Sequence, residues 1–385
     1  MTDEMRVLVL DCEFPPIGGG AATATAYLLR QFEKLPIRAT LVTASADDRA
    51  RSEDFTARCR VHYVPVGKKD LHYWTTRELA TYTWKAHRHV RSLERAGEEF
   101  DLCHAFFTLP VGAAAWLERK SRPYVISLCG SDVPGFSKRF TWVYVPFGFV
   151  FRMIWRGAAA VVSNSEELKA LAERSAPDVR FDVIPNGIDT QTFHPGAPRE
   201  KAATILTVAR LVPRKDVATA IRATALVAKE FPDARLAVVG DGPLAGELER
   251  LAAAEGIGEK VLFRRSVPRE RMADLYREAD VFVLTSMREG MSNTVLEALA
   301  SGLPTVLSRE ALAGINAPGA LTAKPGDAAA TAAAIRRYLA DGELRRRAGE
   351  ESRRAAERYA WPSVAREFYE TYRRVLEAGK TEGRR

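Results

Sequence analysis

Cysteine is scarce in this chain and poorly placed for crosslinking: Cys12, Cys59, Cys103 and Cys129 are the four among 385 residues, and no pair has C-x-x-C spacing. Neither a disulfide framework nor a zinc site is indicated. Long apolar runs are missing too. The longest, Trp142 to Phe151, ends after ten residues at Arg152, short of what crosses a bilayer. Asp11 and Glu13 interrupt the apolar start Val7 to Leu10, so no secretory leader is indicated and a cytoplasmic protein is expected. No G-x-G-x-x-G follows that first run, which argues against a dinucleotide-dependent dehydrogenase. Basic and aromatic residues do not interleave in a nucleic-acid-binding motif, so no nucleic acid partner is expected despite a net charge of +8. Much of the excess lies in Arg345-Arg346-Arg347, Arg353-Arg354 and Arg373-Arg374. Glu alternates with these at helical spacing, the pattern of solvated helix faces. Weak attraction to anionic lipid is the remaining use for the charge.

What is present is the pattern of a globular α/β protein. Hydrophobic residues make up 46% and charged residues 28%, which permits a packed core, and the length suits two domains of about 150 to 200 residues. Val7 to Leu10, Ala39 to Thr43, Val61 to Val64, Asp101 to Phe107, Tyr124 to Leu128 and Ala159 to Ser163 read as short strands. Most are continuously apolar, as parallel strands buried on both faces require. Helical patterns such as Ala22 to Leu35 separate them, so βαβ units are predicted. A turn-rich stretch from Pro185 to Pro198 marks the boundary between domains at 1–190 and 198–360. Strand-like runs then resume at Thr204 to Ala209, Arg235 to Val239, Val261 to Phe263, Val281 to Leu284 and Pro304 to Leu307. Tandem doubly wound domains would set the carboxyl edges of two sheets across a cleft. Near the C-terminus, a helix over about 362–378 carries the stripe Val364, Phe368, Tyr372 and Val375. It belongs to the second domain or packs back on the first.

Glu289-Gly290-Met291-Ser292-Asn293-Thr294-Val295-Leu296-Glu297 is the most informative segment. It follows a strand-like run and leads into a helix, a junction that aims unpaired backbone N–H groups above the sheet's carboxyl edge. A carboxylate there accepts hydrogen bonds from sugar hydroxyls, so the segment points to a phosphorylated, hydroxyl-rich ligand. The alternative is a capping box, with Glu297 serving Thr294 and the helix start, and Glu289 a solvated loop residue. Gly18-Gly19-Gly20 allows close backbone approach to a diphosphate, or is an ordinary flexible loop. Arg210 and Lys215 follow a predicted strand, where they would offset diphosphate charge or stand as surface charges.

Taken in order, these segments resemble a retaining glycosyltransferase of family 4, with the GT-B fold. The resemblance spans nearly the whole chain. Phe14 to Gly20, Val161 to Glu166, Val183 to Asp189, Arg210, Lys215, Val239 to Pro243, Ala279 to Phe282, Glu289 to Glu297 and Ala298 to Pro304 occur in the family's order. It implies two Rossmann-like doubly wound domains facing a central cleft, an acceptor domain first and a donor domain second. It implies catalytic parts for Arg210, Lys215, Glu289 and Asp132. Donor binding would fall to Gly19, Gly20, Gly240, Met291, Ser292, Asn293, Thr294 and Glu297, with Glu297 on the ribose. The family carries no Asp-x-Asp metal motif and none is evident here, so no metal is expected. No cofactor is expected either, the nucleotide-sugar donor being a substrate. The implied activity is transfer of a hexose-type sugar to a glycan or lipid-linked acceptor in cell-surface polysaccharide or glycolipid synthesis.

Three departures stand out. Cys129-Gly130-Ser131-Asp132 replaces a His-Gly-x-Asp-like motif, so Asp132 is a weaker candidate, with a turn cap as the alternative. Ala313-Gly314-Ile315-Asn316 replaces a Gly-Gly-x-x-Glu, and Arg265 stands where a Gly is common. On the acceptor side, Tyr73 to Trp84 and Phe136 to Trp155 are rich in aromatics. With Lys68, Lys69, Lys138, Arg139 and Arg152 they would meet a membrane surface at its inner face, or pack in the core. The alternatives in function are a transferase making a soluble glycoside or glucan, and a catalytically silent nucleotide-sugar-binding subunit.

Overall fold

A computed structural model describes residues 4–71, 73–130, 132–136, 141–197 and 203–382, without the side chains of 141–147 and 381–382. The chain divides into two compact units, Met1–Gly187 with Trp361–Arg385, and Ile188–Ala360. The first runs β1 (Met5–Leu10), α1 (Gly20–Gln31), β2 (Ile37–Ala44), β3 (Arg51–Thr56), β4 (Cys59–Val64), α2 (Thr76–Arg95), β5 (Leu102–Phe106), α3 (Ala113–Leu117), β6 (Tyr124–Leu128), α4 (Thr141–Arg156), β7 (Ala160–Ser163), α5 (Glu166–Ser175) and β8 (Phe181–Val183). The second runs β9 (Thr204–Val208), α6 (Val217–Val227), β10 (Arg235–Val239), α7 (Ala245–Ala254), β11 (Val261–Arg264), α8 (Arg269–Arg277), β12 (Val281–Leu284), α9 (Asn293–Ala300), β13 (Thr305–Leu307), β14 (Leu321–Thr322), α10 (Ala328–Ala340) and α11 (Gly342–Glu357). A last helix, α12 (Trp361–Glu382), completes the chain.

The apolar runs become the inner strands because neither face meets water. Val7, Leu8, Val9 and Leu10 of β1 are all fully buried, as are Val281 to Leu284 of β12. The first sheet has the order β3-β4-β2-β1-β5-β6-β7-β8 and is parallel except for the β3–β4 pair. The second, β11-β10-β9-β12-β13-β14, is parallel throughout. Both are doubly wound, so each has a point where strand order reverses: between β1 and β5 in the first, and between β9 and β12 in the second. Loops leaving the carboxyl ends at such points diverge and leave a crevice for ligands.

Three strands were not predicted. β3 reads Arg-Ser-Glu-Asp-Phe-Thr with its first four residues exposed. It is a charged antiparallel edge, which an apolar-run criterion cannot detect. β8 and β14 have only three and two residues.

The C-terminal helix joins the first unit. Its stripe Val364, Phe368, Tyr372 and Val375 is buried, Trp361 stacks on Tyr27 at 5.8 Å, and Arg374 reaches Asp182 at 2.8 Å. A buried triad fastens it: Tyr372 Oη lies 2.7 Å from His104 Nδ1, and His104 Nε2 lies 2.8 Å from Ser127 Oγ. Burial holds the His104 pKa down to about 3, so the imidazole is neutral.

Candidate functional site

The second unit's crevice is built by the loops after β9 and β12. Pro213 starts a single 3₁₀ turn ending at Lys215, its fixed φ suited to that first position. Asp216 then adopts a left-handed conformation (φ 48°), and its carboxylate accepts from Thr219 Oγ1 and Gly326 N, each at 2.8 Å. So fixed, Lys215 points across to the β12 loop and donates to Glu289 Oε1 at 2.5 Å. Arg214 Nη1 stands 3.6 Å from Glu289 Oε2, and Met287 N donates to Arg214 O at 2.8 Å. The Lys215 and Glu289 side chains are only 12% and 7% exposed, so this is a largely desolvated pair. Burial lowers the Lys215 pKa, Glu289 opposes that shift, and the positive charges of Arg214 and Arg210 add to it. Arg210 itself is exposed and makes no side-chain hydrogen bond or ion pair among the described residues.

Next to this pair, α9 opens at Asn293 with Ser292 as its N-cap. No side chain caps it; the Ser292 and Thr294 hydroxyls bond to each other at 3.1 Å. The first turn of a helix carries N–H groups with no partner inside the helix, and this is where anions bind. Met291 and Ser292 are buried, Asn293 and Thr294 half-buried. The capping box does not form. Glu297 sits a full turn inside the helix, where its Oε2 accepts from Tyr276 Oη at 2.7 Å. Glu297 retains some solvent contact, but its carboxyl lies deep among protein atoms, and that desolvation raises its pKa to about 7 against the opposing bond from Tyr276.

Gly240 has a different part from the one predicted. Its N–H is already donated to Arg264 O at 2.9 Å, so that amide is not free for a ligand. With φ at 131°, it lets the end of β10 pack so closely that a Cβ would collide with the Ala209 carbonyl oxygen. Leu211 N then donates to Asp241 O at 2.9 Å, anchoring the loop that carries Arg210. The two departures in this unit are tied into the fold: Arg265 pairs with Glu249 at 2.9 Å, and Asn316 N donates to Tyr359 Oη at 2.8 Å.

In the first unit, Gly18-Gly19-Gly20 leads from the carboxyl end of β1 into α1. Gly19 is the N-cap, again without a side-chain cap, and a Cβ there would meet nothing within 4 Å. Gly19 and Gly20 are exposed, so ligand approach is open. Gly18 is required (φ 94°): a Cβ would lie 2.5 Å from Glu13 Oε2. Asp132 is buried and committed to the backbone. Its Oδ2 accepts from Thr108 N at 2.8 Å and Thr108 Oγ1 at 3.2 Å, and its Oδ1 from Cys129 N at 3.0 Å. It therefore braces the turn after β6 against the segment after β5, closer to the turn-cap alternative than to a free catalytic carboxyl. Ser131 lies outside the described residues.

The aromatic stretches divide. Tyr82 and Trp155 are core residues, while Tyr73, Trp84 and Phe149 are 53%, 55% and 68% exposed. Lys68 does not face outward as predicted. Its side chain is fully enclosed, with Nζ 4.0 Å from the Trp74 ring centroid and 3.6 Å from Glu78 Oε2. Arg152 donates to Ser175 O at 2.5 Å. Lys138 and Arg139 lie outside the described residues. Among the described residues, no group of three His, Cys, Asp or Glu side chains is placed to hold a metal ion.

Sequence reasoning missed three residues. Tyr276 and Arg214 hold Glu297 and Glu289 respectively. Asp11, fully buried at the end of β1, accepts from Thr25 Oγ1 at 2.7 Å and Glu13 N at 2.9 Å, and burial raises its pKa. Arg214 was signalled by its neighbour Lys215, and Asp11 by being the first charge after an apolar run.

Residues 189–355 match the family model described as "Glycosyl transferases group 1", and residues 19–187 match "Glycosyl transferase 4-like domain". The chain is 27% identical to D-inositol 3-phosphate glycosyltransferase of Xylanimonas cellulosilytica over 95% of its own length and 96% of the relative's. It is 28% identical to a sulfoquinovosyl transferase of Arabidopsis thaliana, over 68% of this chain and 54% of that relative. Among solved structures, sucrose-phosphate synthase from Thermosynechococcus elongatus aligns with a TM-score of 0.80 at 22% identity, covering 97% of this chain and 100% of that one. That last likeness bears on the fold alone.

Proposed function

Since this chain belongs to the family 4 glycosyltransferases, with the GT-B fold and a nucleotide-sugar donor, we propose that it transfers a hexose-type sugar, with retention of anomeric configuration, to a glycan or lipid-linked acceptor. The observation that carries the proposal is the Lys215–Glu289 pair beside the uncapped start of α9, at the strand-order reversal of the second sheet. A nucleoside diphosphate leaving group needs positive charge that is already in place when the glycosidic bond breaks. Lys215 and Arg210 supply cations, and the first-turn amides of α9 supply oriented dipoles. Glu289 favours the charged form of Lys215 against burial and fixes its direction. Glu297 accepts hydrogen bonds from the donor ribose. Retention then follows from attack by the acceptor hydroxyl on the face the phosphate leaves, with the departing phosphate oxygen taking the proton. The protein's task is positioning and charge stabilisation, with no covalent nucleophile.

On the acceptor side, Trp84 with Arg88 4.7 Å from its ring, and the exposed Phe149 and Met153 of α4, favour a lipid-linked acceptor at a membrane surface in glycolipid or cell-surface polysaccharide synthesis. Among the described residues no helix is long and apolar enough to cross a membrane, so any attachment through them would be peripheral.

The experiment is a thermal-shift panel of UDP-, GDP- and ADP-sugars on the full chain, followed by product analysis at the anomeric carbon. A donor at 100 times its dissociation constant stabilises by about 2.7 kcal/mol. No shift with any of the three classes, or an inverted product anomer, refutes the proposal. Failure to bind vesicles containing anionic lipid at low salt refutes the lipid-surface part.

A further inference from the structure

Resting on the reading that Glu297 meets the donor ribose, we infer that Tyr276 is a positioning residue: it holds one oxygen of Glu297 so that the other is presented to the sugar hydroxyls, and so sets discrimination between ribo- and deoxyribonucleotides. Tyr276 is on α8 and is completely buried. Its ring is held edge-on by Phe193 at 5.7 Å and against Phe282 at 5.9 Å, which leaves the hydroxyl little freedom. That hydroxyl lies 2.7 Å from Glu297 Oε2 and 3.3 Å from Thr294 O. It has one hydrogen, and the shorter, charge-assisted contact to the carboxylate is the stronger.

The other carboxylate oxygen, Oε1, has no protein hydrogen bond and is not sealed from solvent. One oxygen is therefore anchored and one is available. The anchor is chemically suited: a buried phenol stays protonated, since burial and the neighbouring carboxylate both raise its pKa. While Glu297 is ionised, the phenol is therefore the donor of this bond. The hydroxyl also lies 3.3 Å from Thr294 O, which places the anchored carboxyl oxygen beside the first turn of α9, the turn proposed to hold the diphosphate. Ribose and diphosphate are covalently joined, so their two binding groups must keep a fixed separation. Tyr276 keeps it without meeting the ligand.

The test is isothermal titration of the nucleoside diphosphate selected by the thermal-shift panel, and of its 2′-deoxy and 3′-deoxy forms, against full-length protein. Wild type, Tyr276→Phe, Glu297→Gln and Phe282→Leu are compared. Wild type should favour the ribonucleotide over at least one deoxy form by about tenfold or more, the worth of a hydrogen bond to a charged group. Glu297→Gln should abolish that ratio and Tyr276→Phe should remove most of it. Phe282→Leu, which removes one of the ring's two packing partners but keeps the hydroxyl and its bond, should lower stability and leave the ratio closer to wild type than Tyr276→Phe does. A packing role for Tyr276 would weaken all ligands alike and would not move the ratio. If Tyr276→Phe does not fold, global replacement of tyrosine by 3,5-difluorotyrosine, which acidifies the phenol, should change the ratio in wild type and not in Glu297→Gln. A ratio lost in Glu297→Gln but intact when the phenol is removed or acidified overturns the inference and leaves the donor assignment standing. A ratio intact in every variant overturns the assignment of Glu297 as well.

Discussion

Separating Lys215 from Glu289 should destabilise the second unit, while neutralising both should restore stability without restoring activity. The pair is 2.5 Å long and nearly shut off from water, with side-chain exposures of 12% and 7%. Removing one partner of such a pair leaves a charge whose desolvation is no longer offset, at a cost of about 3–5 kcal/mol. Glu289→Ala should fall toward the low end, because burial already favours the neutral amine of Lys215 and proton release relieves the strain. Lys215→Met leaves Glu289 with Arg214 at 3.6 Å, so part of the loss is recovered there too. The double variant Lys215→Met/Glu289→Gln buries no ion and should come within about 1 kcal/mol of wild type. Transferase activity should remain lost in all three, since the cation facing the leaving diphosphate is gone or no longer held charged. The assay is urea unfolding followed by far-UV circular dichroism. Tryptophan emission would mislead here: all six tryptophans (Trp74, Trp84, Trp116, Trp142, Trp155 and Trp361) belong to the first unit. A double variant no more stable than the singles refutes the reasoning, as does Glu289→Ala unfolding at the wild-type midpoint. Restored activity in the double variant would refute the charge-stabilising part alone.

The pH dependence of Glu297 has a definite sign. Its pKa is raised from the ordinary 4.5 to about 7 in the folded chain, so its contribution is fully present below about pH 4.5 and is lost as pH rises through 7. The melting temperature of Glu297→Gln should therefore gain on wild type between pH 5 and pH 8, and parallel curves would show that the carboxyl is not desolvated. Glu297→Ala should weaken donor binding by about 1.5–3 kcal/mol, and an unchanged titration isotherm in a folded variant would count against the ribose contact. Tyr372→Phe strands His104 Nδ1 in the core and should cost about 1–3 kcal/mol in the first unit, where tryptophan emission is the right probe; an unaltered midpoint would mean that the triad does not hold the last helix. Gly240→Ala should lower both stability and donor affinity, because φ of 131° and the Ala209 carbonyl leave no room for a methyl, and wild-type values for both would show that the loop carrying Arg210 is not set by this packing.

The strands that position the site were legible because their signal is local. A run such as Val281 to Leu284 is short, continuously apolar and rich in β-branched and aromatic residues, as a strand buried on both faces requires. The three strands that escaped are edges, where one side is wet and charged residues such as those of β3 are favoured. The reversal points, and with them the places where Lys215 and Glu289 stand, followed from alternating strand and helix patterns together with a family order of motifs. Neither signal alone separates a buried, paired lysine from a surface one; the fold does, by bringing Lys215 to Glu289 across 74 positions.

Other side chains take surroundings that no local pattern reveals. Thr294-x-x-Glu297 has the spacing of a capping box, and nothing local tells it apart from a helix whose glutamate turns to another element. The competing partner, Tyr276, comes from the preceding helix, and its hydroxyl is satisfied only in the folded core. Lys68 reads as a surface charge because lysine is almost always one, yet the Trp74 ring and Glu78 together replace its water. Asp132 reads as either a catalytic candidate or a turn cap, because its three hydrogen bonds come from backbone and hydroxyl groups that no sequence pattern brings together. In each case the side chain's role is set by a tertiary partner rather than by its neighbours in sequence. Under the proposed function, donor chemistry would depend on such partners as much as on the motif residues: Glu289 favours the charged form of Lys215 against burial, and Tyr276 engages one oxygen of Glu297.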